Sequence, residues 1–229
     1  MAGTPNIVVI DYESGNLRSV AKALETAGVS PIVTSDAAVI AKADALILPG
    51  VGSGPAAMAA LEKRRLVQSI RDYANSGRPF LGICLGLQLF LERTEEGDAP
   101  CLGIVQGRVK RLPAGSLDGM PAGMKIPHMG WNSVHIESQH AQHPVLDGVA
   151  QDSFFYFVHS YYAQPLDPSA VAGSTDYGVN FCSILAKDNL VATQFHPEKS
   201  GAAGLRIYRN FVAMAKKRSA ISSQRSAGS

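Results

Sequence analysis

The sequence predicts an α/β protein in which a doubly wound, mixed but mostly parallel sheet carries helices on both faces and has antiparallel additions. Two observations support this fold class. In the first half of the chain, short apolar runs alternate with segments of helical spacing, which is typical of a parallel sheet buried on both faces. In the second half, four strand-like segments are separated by Gly, Pro and Asp turns with little helix between them, which indicates antiparallel pairing.

The elements of the parallel half follow one another closely. Strands are expected at 7–10, 31–34, 45–48 and 79–83, because each is a short run rich in Val, Ile or Leu. Helices are expected at 16–27, 55–74 and 85–93, where apolar residues recur at helical spacing. The first helix is expected to end at Gly28 and the second near Gly77, since Gly commonly ends helices.

The second half completes one domain. Its strands are expected at 101–112, 131–137, 154–163 and 181–194, and a last helix at 206–217. No linker-like stretch separates the halves, so residues 5–215 are interpreted as a single domain. Residues 216–229 are basic and rich in Ser without apolar periodicity, so they are expected to form a disordered tail.

Composition excludes several classes of protein. Of the 229 residues, 46% are hydrophobic and 17% are charged, which is typical of a folded chain. A net charge of +2 argues against nucleic acid as the main partner. No apolar run reaches the ~20 residues of a membrane span, and no signal peptide is recognisable. Three scattered cysteines are too few for a disulfide framework or a zinc site, so we expect no metal and a cytoplasmic location.

One cysteine lies in a motif that indicates catalysis. Cys84 stands between Gly82 and Gly86, where a predicted strand meets a predicted helix. This is the spacing of a nucleophile elbow, with Cys in place of Ser. The helix N-terminus there favours the thiolate, which is the reactive form. The alternative is a buried structural Cys flanked by glycines that allow close helix packing.

A base and an orienting group stand together near the end of the chain. A thiolate nucleophile needs both, and the segment HPEKS provides His196 and Glu198. Alternate residues of an extended segment face the same side, and Pro197 prevents a helix there. Glu198 can therefore accept from one nitrogen of His196 while the other faces Cys84. The sequence thus predicts a Cys-His-Glu triad.

An acyl-transfer site also needs an oxyanion hole, made by backbone N–H groups on tight turns. Leu85 N–H follows the nucleophile directly. The run Gly50-Val51-Gly52 follows a predicted strand and is the candidate for the second donor. It is not a dinucleotide fingerprint, because Pro55 stands where the third Gly belongs.

The blocks GICLGLQLF, LPGVG and QFHPEKS together resemble class I glutamine amidotransferases, triad glutaminases that release ammonia for a partner synthase. The resemblance runs from about residue 6 to about residue 214. Within the class, DYESGNLRSV, PHMGWNSV, FYFVHSYY and HPEKS are similar to the glutaminase subunits of imidazole glycerol phosphate synthases. The fold implied by the resemblance is flavodoxin-like.

The resemblance implies roles for further residues. Gln88 matches a side chain that holds the glutamine substrate, and Glu96 matches the carboxylate that receives its ammonium group. His159, Ser160 and Tyr161 match the strand whose backbone holds the substrate carboxylate. The resemblance also implies a mobile oxyanion strand, made of Gly50, Val51 and Gly52. It implies a partner interface as well, with the residues Asn16, Arg18, Trp131 and Lys199.

The implied reaction is hydrolysis of glutamine without any cofactor. The implied partner is a cyclase with a (β/α)₈ barrel, which uses the ammonia in histidine biosynthesis. Trp131 is aromatic and Lys199 is cationic, so the two can make a cation–π contact at this interface. The alternative is that Trp131 packs inside the chain. The alternatives are a stand-alone cysteine hydrolase of the same fold class, a glutaminase of another synthase, and a glutamine-sensing protein with an inert Cys.

Overall fold

The fold, seen in a computed structural model that describes residues 4–13, 15–113 and 125–227, is an α/β sandwich built on one mixed sheet. The helices are α1 (Leu17–Thr26), α2 (Ala37–Ala41), α3 (Gly54–Lys63), α4 (Val67–Ala74), α5 (Leu85–Phe90) and α6 (Gly201–Ala227). The strands are β1 (Ile7–Ile10), β2 (Ile32–Thr34), β3 (Ala45–Gly50), β4 (Phe80–Cys84), β5 (Arg93–Thr94), β6 (Ala99–Pro100), β7 (Gly107–Arg111), β8 (His128–Ile136), β9 (Ser153–His159), β10 (Tyr161–Pro165), β11 (Val171–Asp176), β12 (Asn180–Lys187) and β13 (Leu190–Thr193).

Five parallel strands form the centre of the molecule, in the order β2-β1-β3-β4-β13. This is the flavodoxin-like strand order, in which ligands bind beyond the carboxyl ends of the strands. Strands β1, β3, β4 and β13 are buried along their whole length. Two apolar clusters cover the two faces of the sheet. The α/β fold class is therefore confirmed.

Antiparallel strands extend the sheet beyond β13, as the second half of the sequence indicates. Strand β12 pairs antiparallel with β13, β10 and β11. Strand β8 then joins β11 and carries β9 on its other side. The hairpin-like pair β8–β9 brings the carboxyl end of β9 close to the central strands, and this end lines the candidate site described below.

Several element boundaries differ from the sequence predictions. The helical stretch 55–74 is two helices, because Arg65 adopts a left-handed conformation with φ 58°. The segment 181–194 is a tight hairpin that turns at Asp188, φ 53°. The short elements α2 and β11 were not predicted.

The final helix also differs from expectation. It runs from Gly201 to Ala227 and so extends through most of the segment 216–229 that was expected to be a disordered tail. The composition explains the difference, because Ala, Lys, Arg and Gln are good helix formers and no Gly or Pro interrupts 205–227. Among the described residues, no helix combines the length and apolar character needed to cross a bilayer.

Candidate active site

The predicted catalytic residues meet at the carboxyl edge of the parallel sheet. Cys84 ends β4, and its neighbour across the sheet is Gly50, the last residue of β3. His196 follows three residues after the end of β13, which pairs with β4 on its other side. The three segments therefore converge because the carboxyl ends of adjacent parallel strands lie at one edge.

Cys84 has the strained backbone of a nucleophile elbow, with φ 54° and ψ −105°. A side chain on Gly86 would place its Cβ 2.0 Å from the carbonyl oxygen of Leu48. A Cβ on Gly82 would lie 3.0 Å from the backbone of Gly86. The two glycines are therefore required for α5 to pack closely on β3 and β4 behind the cysteine.

His196 and Glu198 form a buried pair, as the HPEKS segment predicts. His196 Nδ1 lies 2.7 Å from Glu198 Oε1, and the two side chains are 1% and 0% exposed. The backbone N–H of His196 donates to Tyr156 O on β9 at 2.9 Å, which fixes the segment against the sheet. His196 Nε2 is buried on the side of Cys84 and makes no regular hydrogen bond with any described residue.

Glu198 is held by two further side chains that the sequence did not identify for this role. Asn16 Nδ2 donates to Oε1, the same oxygen that His196 contacts. Tyr208 Oη lies 3.4 Å from Oε2. Burial, followed by the charge of Glu198, raises the pKa of Tyr208 well above its usual value, so its hydroxyl remains a donor. Asn16, expected at the partner interface, thus has a contact to the candidate triad.

The surroundings of His196 favour its protonated form. Burial alone would lower the pKa of His196, but Cys84 and Glu198 outweigh it and raise the pKa to about 10. The imidazole is therefore a cation at neutral pH. A protonated imidazole beside the thiol is what a His that donates a proton to a leaving group requires.

A cavity of about 290 Å³ opens in front of Cys84. The predicted catalytic, oxyanion and substrate-binding residues that line it are Cys84, His196, Val51, Gly52, Leu85, Gln88, Glu96, His159, Ser160 and Tyr161. Pro127 and Val158 complete the lining. Gly50 lies just behind it, where an added Cβ would come within 2.7 Å of Leu85 Cβ. The structure therefore brings the candidates for the nucleophile, the base, the substrate contacts and the oxyanion donors to one cavity.

Both hydrogens of the Gln88 amide are used inside the protein. Nε2 donates to Tyr161 O at 2.7 Å and to Gln194 Oε1 at 3.2 Å. The Oε1 atom of Gln88 is therefore the end of the amide left to accept from a ligand. Gln194 is fully buried, and its Nε2 lies 3.8 Å from Cys84 Sγ. Sequence reasoning missed Gln194, although it precedes His196 by two residues and so faces the same side of an extended segment.

Glu96 accepts from Gly54 N at 2.7 Å, at the start of α3. The carboxylate thus lines the cavity while it is anchored to the helix that follows the Gly50-Val51-Gly52 turn. The other end of the turn is anchored by Tyr12, whose hydroxyl donates to Pro49 O at 2.8 Å.

Comparison with known proteins shows the family of the chain. A family model for class I glutamine amidotransferases matches residues 8–215. The imidazole glycerol phosphate synthase subunit HisH of Syntrophotalea carbinolica is 50% identical over 206 residues, which is 90% of this chain and 98% of the relative. The HisH subunit of Dehalococcoides mccartyi is 46% identical over 210 residues, 91% and 97% of the two chains.

The chain belongs to the HisH family of class I glutamine amidotransferases. Its fold also matches a more distant crystal structure, that of a Thermoplasma acidophilum protein described as a GMP synthase component. That match has a TM-score of 0.71 at 19% identity and covers 97% of this chain and all of the other. The HisH relatives therefore share the sequence, while the GMP synthase protein shares the fold.

The interface candidates of this HisH family member are largely exposed. Trp131 is 56% exposed, so it does not pack inside the chain. Arg18 and Lys199 are exposed as well. Lys199 does not contact the ring of Trp131 in this structure: its Nζ lies over the ring of Tyr156 at 5.8 Å, and Tyr156 meets Trp131 edge to face. Tyr156 takes this place because it is the direct cross-strand neighbour of Trp131.

The Glu198→Gln variant is expected to keep the fold and to lower glutamine turnover less than loss of Cys84 does. A neutral amide still holds Nδ1 but no longer stabilises the imidazolium, so the pKa of His196 falls. The protonated form is lost as pH rises through this pKa. The alkaline limb of the kcat/KM profile is therefore expected to shift to lower pH by roughly one unit or more. Glutamate release measured across pH checks this, and an unchanged profile removes Glu198 from the triad.

Proposed function

We propose that this chain is the glutaminase subunit of an imidazole glycerol phosphate synthase. It hydrolyses glutamine to glutamate and ammonia and passes the ammonia to a cyclase partner, a (β/α)₈ barrel, in a cytoplasmic heterodimer of histidine biosynthesis. The observation that carries the proposal is the cavity in which Cys84 and His196 face Gln88, Glu96 and the Tyr161 segment. The HisH relatives, similar over about nine-tenths of the chain, support the choice of synthase.

The first half of the reaction is attack on the side-chain amide of glutamine. The Cys84 thiolate adds to the amide carbon, and the oxyanion that forms accepts from backbone N–H groups of Leu85 and of the Val51–Gly52 turn. His196, protonated in the resting pair, donates its proton to the leaving nitrogen. Ammonia departs and a glutamyl thioester remains on Cys84.

The second half restores the resting pair. A water molecule adds to the thioester carbonyl, and the now neutral His196 takes its proton. The tetrahedral intermediate releases Cys84 as a thiolate, and glutamate leaves. His196 is again a cation. Each cycle thus begins and ends with a protonated imidazole, which is consistent with the raised pKa of His196.

The ends of the substrate find complementary groups in the cavity. The Glu96 carboxylate is the partner for the ammonium group of glutamine. The backbone at Ser160 and Tyr161 holds its carboxylate end, and the free Oε1 of Gln88 accepts from the substrate. Recognition of both charged ends explains why a free amino acid, rather than a protein side chain, is the substrate we propose.

Glutamine labelled with ¹⁵N at its side-chain amide tests the proposed function. The complex of this chain with its cyclase partner is expected to transfer the label to the imidazole ring of the product, because the nitrogen released at Cys84 travels inside the complex. Mass spectrometry of the product gives the result. The experiment is repeated with unlabelled ammonium in solution. If glutamate is released but the product carries no label, ammonia is not delivered from this chain to the partner.

An apolar face on β8–β9 is the surface we propose for the cyclase. Met129, Trp131 and Phe154 are each more than half exposed. The three side chains project from the same side of the β8–β9 pair. Met129 and Trp131 are two residues apart on β8, and Phe154 is two residues from Tyr156, the cross-strand partner of Trp131. Exposed clusters of large apolar side chains mark interaction sites, and Lys199 lies at the edge of this cluster.

The Trp131→Ala variant is expected to weaken the complex by about 10-fold or more, because a rigid exposed aromatic is the expected anchor of an interface. The variant chain itself should remain folded, since more than half of the side chain is in contact with solvent. Titration of the cyclase with each variant, together with thermal unfolding, measures both effects. Leu166→Ala is the matched control, because Leu166 is 71% exposed but lies outside this face. Equal affinity for the two variants would argue against the proposed face.

A further inference from the structure

Two histidines whose side chains take no part in the reaction above form a chain of hydrogen bonds that starts at the wall of the cavity. His128 on β8 and His159 on β9 are direct cross-strand partners and are 3% and 6% exposed. His128 Nδ1 lies 2.9 Å from His159 Nε2, and His159 Nδ1 lies 2.9 Å from Tyr161 O. The chain ends on the carbonyl that also accepts from Gln88.

The contacts determine which nitrogen carries each proton. A carbonyl oxygen only accepts, so His159 Nδ1 is protonated and donates to Tyr161. A neutral His159 then has Nε2 as an acceptor, which requires a proton on His128 Nδ1. His128 Nε2 in turn accepts, and the neighbouring group is the side-chain amide Nδ2 of Asn132 at 3.4 Å. The direction of donation therefore runs from Asn132 through both histidines to Tyr161.

Burial keeps both rings uncharged. It lowers the pKa of His128 to about 4. For His159, burial outweighs the hydrogen bond to Tyr161 and lowers the pKa to about 3. The titratable neighbours of the pair are His196, on the cavity side, and Tyr177, which stacks on His128 with ring centroids 3.9 Å apart. Both rings are thus neutral at pH 7.

We propose that His128 and His159 act as a neutral, tautomer-fixed hydrogen-bond chain that positions the Tyr161 carbonyl, and through it the amide of Gln88, for binding of the substrate. His128 makes no contact with the cavity, so it is a positioning residue. The proposal rests on the proposed function, since glutamine is the ligand whose carboxylate end the Ser160–Tyr161 segment would hold.

A pair of substitutions separates positioning from packing. His128→Asn retains an N–H donor near the place of Nδ1, whereas His128→Leu does not, and both lose the stacked ring. In the cyclase complex, His128→Leu is expected to raise the KM for glutamine by about 10-fold with little change in kcat. A 10-fold effect is near the upper end of what one lost hydrogen bond contributes. His128→Asn is expected to remain within about 3-fold of the wild type. Alkylation of Cys84 by iodoacetamide should be equal in all three proteins, because the triad is unchanged.

Equal KM increases in both variants, accompanied by equal losses of melting temperature, would show a packing role and overturn the proposal. A second measurement does not depend on glutaminase activity: ¹⁵N chemical shifts of the ring nitrogens. Both rings are expected to be Nδ1–H tautomers at pH 7 and to remain neutral down to about pH 5. An Nε2–H tautomer or an imidazolium in this range would contradict the proposal even if glutamine hydrolysis is confirmed. If the wild-type complex does not hydrolyse glutamine, the proposed function is contradicted, whereas the tautomers of the two histidines are still decided by the ¹⁵N shifts.

Discussion

The Cys84→Ala variant is expected to abolish glutamine-dependent synthesis by the complex and to leave ammonia-dependent synthesis intact. Loss of a nucleophile of this kind lowers the rate by as much as about a million-fold. In the proposed function the synthase reaction takes place in the partner, so ammonia supplied from solution would bypass the missing thiol. Formation of product is measured with glutamine and, separately, with an ammonium salt at a pH that provides free ammonia.

Cys101 and Cys182 provide matched controls for this substitution. Both are buried free thiols, like Cys84. Burial raises the pKa of Cys101 to about 11 and that of Cys182 to about 12, so neither is a thiolate at neutral pH. Their Ala variants are expected to retain both activities. Equal loss of the glutamine and ammonia reactions in Cys84→Ala would indicate a structural role for Cys84.

Local sequence patterns predicted the parallel half of the fold and the elbow at Cys84. The apolar runs of β1, β3 and β4 are short and fully buried, as is typical of central parallel strands. The spacing of Gly82 and Gly86 around Cys84 predicts an elbow. The close approach of Gly86 to Leu48 O explains the second glycine, and the close approach of Gly82 to the backbone of Gly86 explains the first. These features depend on residues within a few positions of one another, so a single sequence contains the information.

Features that depend on distant residues were not predictable in this way. The contact of Asn16 with Glu198 joins residues 182 positions apart, and that of Gln88 with Gln194 joins residues 106 apart. No local pattern indicates which polar side chains meet in a buried site. Likewise, the break between α3 and α4 depends on a left-handed Arg65, a conformation for which the sequence has no Gly or Pro signal.

The isolated chain is expected to be nearly inactive and to be activated at least ~100-fold by the cyclase with its nucleotide bound. This nucleotide is the ribonucleotide substrate that the family resemblance implies for the cyclase. The Gly50-Val51-Gly52 turn is the element we expect to switch. It is held at one end by the contact of Tyr12 with Pro49 O and at the other by the contact of Glu96 with Gly54 N. Between these anchors Gly52 has φ 92°, a conformation that Gly adopts at no steric cost. A peptide flip can therefore occur within the turn without moving the sheet.

The size of the activation follows from what one donor contributes. An oxyanion donor is worth roughly 2.7–4 kcal/mol, or ~100–1,000-fold in rate. Turning the Val51 N–H away from the cavity would stop turnover while Cys84, His196 and Glu198 stay in place. Because the donor acts on the transition state, the change should appear mainly in kcat. Glutamate release is measured for the chain alone, for the complex, and for the complex with nucleotide.

Alkylation of Cys84 separates this switch from activation of the nucleophile. If only the oxyanion donor changes, iodoacetamide should react with Cys84 at the same rate in all three states, because that reaction forms no oxyanion. A rate of alkylation that rises with glutamate release would instead place the control on the Cys84–His196 pair. If the isolated chain already hydrolyses glutamine at the full rate, the switch is excluded. The stand-alone cysteine hydrolase then becomes the better interpretation, because such an enzyme needs no partner to complete its oxyanion hole.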